Sequence, residues 1–274
     1  MVERTILVEQ HLVNYLKYGT KPKYLIALHG YGSKASAFQP LTNALTTTFT
    51  VLAIDLPFHG KTIWKSNSYT KKQLVDVINQ VLTNEKASDF SFLGYSLGAR
   101  IIQTLFLHFE HRVEAIFLIA PDGISNKWYF NTTLFPKLIR QKLNQWLYPS
   151  EKILRAASIF YKAKLISKSS YQFIHVQLQT STRQTRMFGT WVSLVEFVPN
   201  LSQLKQRLRQ ADFPVYLFCS KNDEIVPFTA CLRLAKDLPH LYFYPLQSDH
   251  YHIINEELGV LLEQVLSSSV LTKS

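Results

Sequence analysis

Short runs of consecutive apolar residues alternate along the chain with longer stretches whose apolar positions recur every three or four residues. The runs are "KYLIALHG" (23–30), "TVLAIDLPFHG" (50–60), "FSFLGYS" (90–96), "VEAIFLIAP" (113–121), "FPVYLFCSKND" (213–223) and "HLYFYPL" (240–246). Each is four to eight apolar positions long, and most stop at Gly, Pro, Ser or Asp, which predicts buried strands. Between them, 36–49, 70–85, 97–112, 228–238 and 253–268 carry helical spacing, with Thr70 placed to cap the second of these. "EQHLVNYLKYG" (9–19) reads as an antiparallel edge hairpin. Continuous apolar strands alternating with amphipathic helices predict an α/β fold whose mostly parallel sheet is covered on both faces.

The alternation breaks between about 122 and 205. This segment is helix-like and rich in large aromatics, among them Trp128, Tyr129, Phe130, Phe135, Trp146, Tyr148, Phe160, Tyr161 and Trp191. The expectation is a core of 1–121 and 206–274, with 122–205 as a helical cap over the carboxyl ends of the strands, where open α/β sheets hold ligands. Charge sharpens the division. The chain has a formal net charge of +11. Residues 127–210 hold 14 Lys and Arg against two Asp and Glu, whereas the rest holds 16 against 17. A solvated helix surface accounts for such a segment, and so does a site for an anionic substrate or an anionic lipid surface. Nucleic-acid binding is not expected, since no recognised motif accompanies the charge.

At 274 residues and 47% apolar content, the chain is long enough for a sizeable core. It contains no apolar run of about 18 residues, the length that would predict a membrane span. The opening "MVERTILVEQHLVNYLKYG" carries early charges and no apolar signal core, so a cytoplasmic location is expected. Cys219 and Cys231 are too few for a disulfide framework and lack metal-ligand spacing.

The chemistry gathers at strand ends. Gly94-Tyr95-Ser96-Leu97-Gly98 lies between a predicted strand and a predicted helix, the context of a nucleophile elbow. A tight turn leaves little room for side chains beside the serine, hence the glycines, and the helix start offers N–H groups to a developing anion. A glycine-flanked turn without chemistry is the plainer alternative, and the strand before and helix after argue against it.

A serine hydroxyl needs a base, and the base needs orienting. Asp223 ends the fifth run and is the candidate acid, with Glu224 beside it and Asp122 further away as rivals. His250 is the first loop histidine after the last strand and the candidate base, and His252 is its rival. Backbone N–H groups of Tyr31, in "LHGYGS", and Leu97 are the expected oxyanion donors. His29 is expected to brace that loop, and Asp55 and His59 to be turn and packing residues.

With these residues in place the chain resembles the α/β-hydrolase fold superfamily over about 25–121 and 210–268. "HGYG", "DLPFHG", "GYSLGA", "NDEIVP" and "SDHYH" fall in that family's order, with Asp249 where the family usually has glycine. The resemblance implies a Ser-His-Asp hydrolase of an ester or thioester, acting through an acyl-enzyme on a small acyl substrate without metal or organic cofactor. The elbow "GYSLGAR" is also similar to "GYSxGGR" of the menaquinone-pathway synthase family, lyases that eliminate pyruvate. That similarity implies substrate contacts for Tyr95 and Arg100, although a surface position is as good a reading of Arg100. A lyase and a non-catalytic binding protein on the same scaffold are the alternatives.

Overall fold

In the computed structural model, residues 1–125, 150–166 and 168–268 are described. Eight strands form one sheet: β1 (Val2–Val8), β2 (His11–Tyr18), β3 (Lys23–Leu28), β4 (Phe49–Ile54), β5 (Phe90–Tyr95), β6 (Val113–Ile119), β7 (Val215–Ser220) and β8 (Leu241–Leu246). Their order is β1-β2-β4-β3-β5-β6-β7-β8. The β1/β2 and β2/β4 pairs are antiparallel and the rest parallel. Every residue of β4, β5 and β7 is buried, as expected of parallel strands covered on both faces. The chain passes from β3 to β4 on one side, then crosses to β5 on the other. That reversal puts a topological switch point at the carboxyl ends of β3 and β5, the place where open α/β sheets hold their ligands.

Nine α-helices lie among the described residues. They are α1 (Thr42–Leu45), α2 (Lys71–Glu85), α3 (Leu97–Leu105), α4 (Ser150–Lys162), α5 (Lys168–Gln177), α6 (Ser181–Ser193), α7 (Leu201–Gln210), α8 (Phe228–Ala235) and α9 (Glu256–Ser267). Helix α2 buries Leu74, Val77, Ile78, Val81 and Leu82, the stripe its sequence spacing predicts. In α9, Asn255 caps the helix by accepting from Leu258 N–H at 2.9 Å, and Leu258, Leu262, Val265 and Leu266 enter the core. There they join Phe38, Phe49, Phe117, Tyr216 and Phe218.

Two elements differ from the sequence reading. The hairpin is longer than 9–19, because β1 precedes it and the chain reverses at Glu9, where φ is +54°. Only Ile6 and Val8 of β1 are buried, so this edge strand leaves little apolar signature. The stretch 36–49 forms a 3-10 helix (Ala35–Leu41) containing Pro40, then the single turn α1. Thr46 and Thr47 hydroxyls donate to the carbonyls of Thr42 (2.7 Å) and Ala44 (2.6 Å), which ends the turn.

The chain divides into two compact units. The first comprises Met1–Trp64, Lys71–Asn126 and Phe197–Ser274, and the second Lys65–Thr70 and Lys127–Glu196. The second unit is thus shorter at both ends than the expected 122–205 and takes in a detour at 65–70. Ser193 explains the detour, since its hydroxyl accepts from Tyr69 N–H at 2.7 Å. Of the aromatics singled out in the sequence, Trp128, Tyr129, Phe130, Phe135, Trp146 and Tyr148 lie outside the described residues.

Candidate active site

Ser96 stands between β5 and α3 with φ 50° and ψ −110°. An L residue held there stores about 1–3 kcal/mol of strain, and the surroundings must fix it. They do so by backbone bonds: Ser96 N–H donates to Ile119 O (3.0 Å), and Ser96 O accepts from Arg100 (3.0 Å) and Asp122 (3.2 Å). The flanking glycines are required by proximity. A Cβ on Gly98 would lie 1.9 Å from Leu28 O, and one on Gly94 would lie 2.6 Å from Ala99 Cα.

Ser96 Oγ lies 3.0 Å from His250 Nε2, and His250 Nδ1 lies 2.6 Å from Asp223 Oδ2. All three residues are buried. A carboxylate can only accept, so Nδ1 carries the proton and Nε2 is left as the acceptor for the serine hydroxyl. The other oxygen of Asp223 accepts from Ile225 N–H (2.8 Å) and Val226 N–H (2.7 Å), which fixes the carboxylate. This is the hydrogen-bond order needed by a nucleophile, a base and an orienting acid.

The acid and histidine loops are tied together by Ser220 Oγ donating to Ser248 O and by Asn222 Nδ2 donating to Gln247 O. The rivals stand apart. Glu224 is exposed. Asp122 pairs with Arg100 Nη1 at 3.2 Å and accepts from Gly123 N–H at 2.7 Å. His252 is exposed and donates from Nδ1 to the Asp249 carboxylate at 2.8 Å. Asp249 also accepts from the N–H groups of Tyr251 (2.9 Å) and His252 (3.0 Å). The hydrogen bonds from the His252 ring and backbone hold its carboxyl below the usual range. Asp249 therefore caps the histidine turn.

The loop after β3 is braced as a unit. His29 Nε2 accepts from Leu56 N–H (3.1 Å), and its Nδ1 donates to Gly30 O (2.8 Å). His59 Nε2 accepts from Gly32 N–H at 3.0 Å. Asp55 accepts from Ala35 N–H (2.6 Å), Lys61 N–H (2.8 Å) and Asn14 Nδ2 (2.9 Å). Gly30 passes so close to the elbow that a Cβ there would lie 2.8 Å from the Tyr95 ring and 3.3 Å from Ser96 Cβ. Tyr31 follows directly. On the other side, the first bond of α3 is donated by Arg100, so Leu97 N–H precedes the helical ladder.

Tyr95 and Arg100, for which the synthase similarity implies substrate contacts, have partners inside the protein. Tyr95 OH donates to His250 O at 2.8 Å, and its ring lies 5.5 Å from the imidazole. Burial, then the negative charge of Asp223, pushes the Tyr95 phenol well above its ordinary value, so it remains a donor. Arg100 is buried, with Nε donating to Phe197 O at 2.6 Å. Sequence reasoning missed the Tyr95–His250 bond, because nothing local marks a carbonyl 155 residues away. It also left the two cysteines unpaired, whereas Cys219 and Cys231 form a disulfide between β7 and α8. That bond brackets the loop carrying Asp223. Among the described residues no His, Cys, Asp and Glu group is placed to hold a metal ion, and no helix is long and apolar enough to cross a membrane.

Comparison with known proteins matches residues 23–257 to the family model of the alpha/beta hydrolase fold. A pimeloyl-[acyl-carrier protein] methyl ester esterase of Nitrosomonas europaea is 22% identical over 230 residues, covering 78% of this chain and 83% of that protein. An uncharacterized hydrolase of Bacillus subtilis is 21% identical over 251 residues, covering 90% and 89%. Among solved structures, an esterase of Thermogutta terrifontis superimposes with a TM-score of 0.72 at 12% identity, covering 98% of this chain and 100% of the other. Strand order, elbow and family match agree, and the chain belongs to the α/β-hydrolase fold family.

Proposed function

We propose that this protein is a serine hydrolase that cleaves a carboxylic ester or thioester through an acyl-enzyme. The observation that carries the proposal is the continuous hydrogen-bond chain from Ser96 Oγ through His250 to Asp223. Ser96 Oγ attacks the acyl carbon while its proton passes to His250 Nε2, and Asp223 stabilises the imidazolium. The carbonyl oxygen becomes an oxyanion between the N–H groups of Tyr31 and Leu97. Removing one such donor in other enzymes costs about 10²–10³ in kcat. Collapse breaks the bond to the alkoxide or thiolate, which takes the proton from His250. A water then attacks the acyl-enzyme by the same route in reverse roles and frees the acid and Ser96.

The esterases among the relatives support ester cleavage as the reaction class. The lyase alternative depends on Tyr95 and Arg100 gripping an anionic substrate, and their bonds to His250 O, Phe197 O and Asp122 favour hydrolysis instead. The basic composition of 127–210 adds a preference for anionic acyl substrates to this reading. The test is a panel of esters and thioesters of graded chain length, in neutral and carboxylated pairs, with wild type and Ser96→Ala. Turnover by wild type, abolished in Ser96→Ala, is expected. Elimination without ester cleavage, or equal turnover by Ser96→Ala, would overturn the proposal.

A further inference from the structure

The end of α4 presents apolar and cationic side chains together. Ile159 is 65% exposed, Phe160 49% and Leu165 69%. Lys162, Lys164 and Lys168 are exposed among them. From 152 to 195 the sequence has no Asp or Glu, so no acidic residue of that stretch neutralises these lysines. Soluble surfaces usually intersperse both signs of charge and expose large apolar residues singly. This segment does neither.

The patch is also held in shape. Leu165 N–H donates to Phe160 O (2.9 Å), and Lys164 N–H donates to Tyr161 O (3.0 Å). This is the paired hydrogen bonding of a Schellman helix end. Its left-handed position is filled by Lys164, at φ +57°, where glycine is the usual residue. The motif turns Leu165 back beside the helical turn that carries Phe160. Tyr161 stacks on Tyr171 of α5 at 4.9 Å and 13°, which anchors the end of α4.

We propose that Ile159, Phe160 and Leu165, with Lys162, Lys164 and Lys168, dock the protein on membranes rich in anionic phospholipid. Such a surface answers both halves of the patch. Apolar side chains enter the boundary between headgroups and acyl chains, and lysines meet the phosphates. An acidic soluble macromolecule would answer the lysines alone and leave Phe160 and Leu165 in water, which is why lipid is the occupant inferred. The proposal stands apart from the reading of Ser96, since no residue of the catalytic chain takes part.

The test is cosedimentation of the full chain with vesicles of phosphatidylcholine, alone or with about a third phosphatidylglycerol. Wild type is expected on the anionic vesicles and not on the neutral ones. Phe160→Ser with Leu165→Ser should weaken partitioning roughly tenfold or more. Lys162→Gln with Lys164→Asn, the asparagine chosen because it tolerates the left-handed conformation, should weaken it roughly fivefold per lysine. Thermal unfolding of the lysine variant should match wild type, so it reads binding even if the serine variant is less stable. Absence of wild-type binding to anionic vesicles would overturn the proposal. So would serine variants that are folded and bind as wild type while the protein also binds polyglutamate, because the patch would then serve an acidic macromolecule.

Discussion

The elbow side of the first unit and the helices of the second unit obey different rules. Around Ser96, single atoms decide the structure: a Cβ on Gly94, Gly98 or Gly30 would collide with backbone or with the Tyr95 ring. The Asp223 carboxylate and both nitrogens of the His250 ring are assigned to partners. In α4 and α5, most of the described side chains are exposed or half-buried, and the sequence of the two helices holds four Lys and Arg against one Glu. The contrast teaches where chemistry demands close fit and where composition alone is under pressure. A reacting group must be held to within a fraction of an ångström, whereas a charged surface works through its sum.

The contrast breaks most visibly at the two neighbouring histidines. His250→Ala should lower kcat by about four orders of magnitude or more, because the base is lost. His252→Ala should stay near wild type, since that ring is exposed and bonded to Asp249. Steady-state kinetics on the best ester of the panel reads both. The reverse order would place the base on the wrong residue.

The next largest effect is in packing. Gly98→Ala puts a methyl 1.9 Å from Leu28 O, between backbones that cannot both yield. A loss of at least about 3 kcal/mol, or failure to fold, is expected. Gly32→Ala meets nothing within 4 Å and has only its φ of +75° to resist it. About 1 kcal/mol is expected there. Lys162→Ala in the second unit should stay within about 0.5 kcal/mol. Denaturant melts of the three variants give the ranking, and a Gly98→Ala protein as stable as wild type would contradict the close approach of α3 to β3.

A smaller effect concerns a buried charge away from the site. Glu85 accepts from Lys17 Nζ (2.5 Å) and Tyr15 OH (2.7 Å) and pairs with Arg4 Nε (3.3 Å), which ties α2 to the β1–β2 hairpin. Burial raises its carboxyl, but the bonds from Lys17 and Tyr15 and the charges of Lys17 and Arg4 outweigh it, and the net direction is down. A group lowered in the folded state stabilises fully above its ordinary value of about 4.3 and loses that contribution as pH falls through the folded value. Glu85→Gln should therefore cost about 2 kcal/mol at neutral pH. The gap to wild type should close on acidification below about pH 4. A gap independent of pH would mean that packing, not charge, makes the contribution.

How much of this was legible in the sequence follows the same division. The central strands were legible because each is a continuous apolar run, and Ser96, Asp223 and His250 because each sits where such a run ends. The edge strand β1 was not, since five of its seven residues face solvent and carry no pattern. Pro40 and the threonine hydroxyls turned an amphipathic stretch into a 3-10 helix, a competition that periodicity does not register. The Tyr95–His250 bond depends on the sheet order that brings the end of β5 to the loop after β8, and the Cys219–Cys231 pair on how α8 packs on β7, and neither is recorded in local spacing.

The central claim is that Ser96 is an activated nucleophile, and covalent capture tests it most directly. Wild-type protein treated with a fluorophosphonate and weighed intact should gain one adduct, mapped to Ser96 by peptide mass. Ser96→Ala should gain none, and His250→Ala should react far more slowly. A folded wild type that stays unmodified, or a Ser96→Ala protein that is modified as readily, would contradict the account.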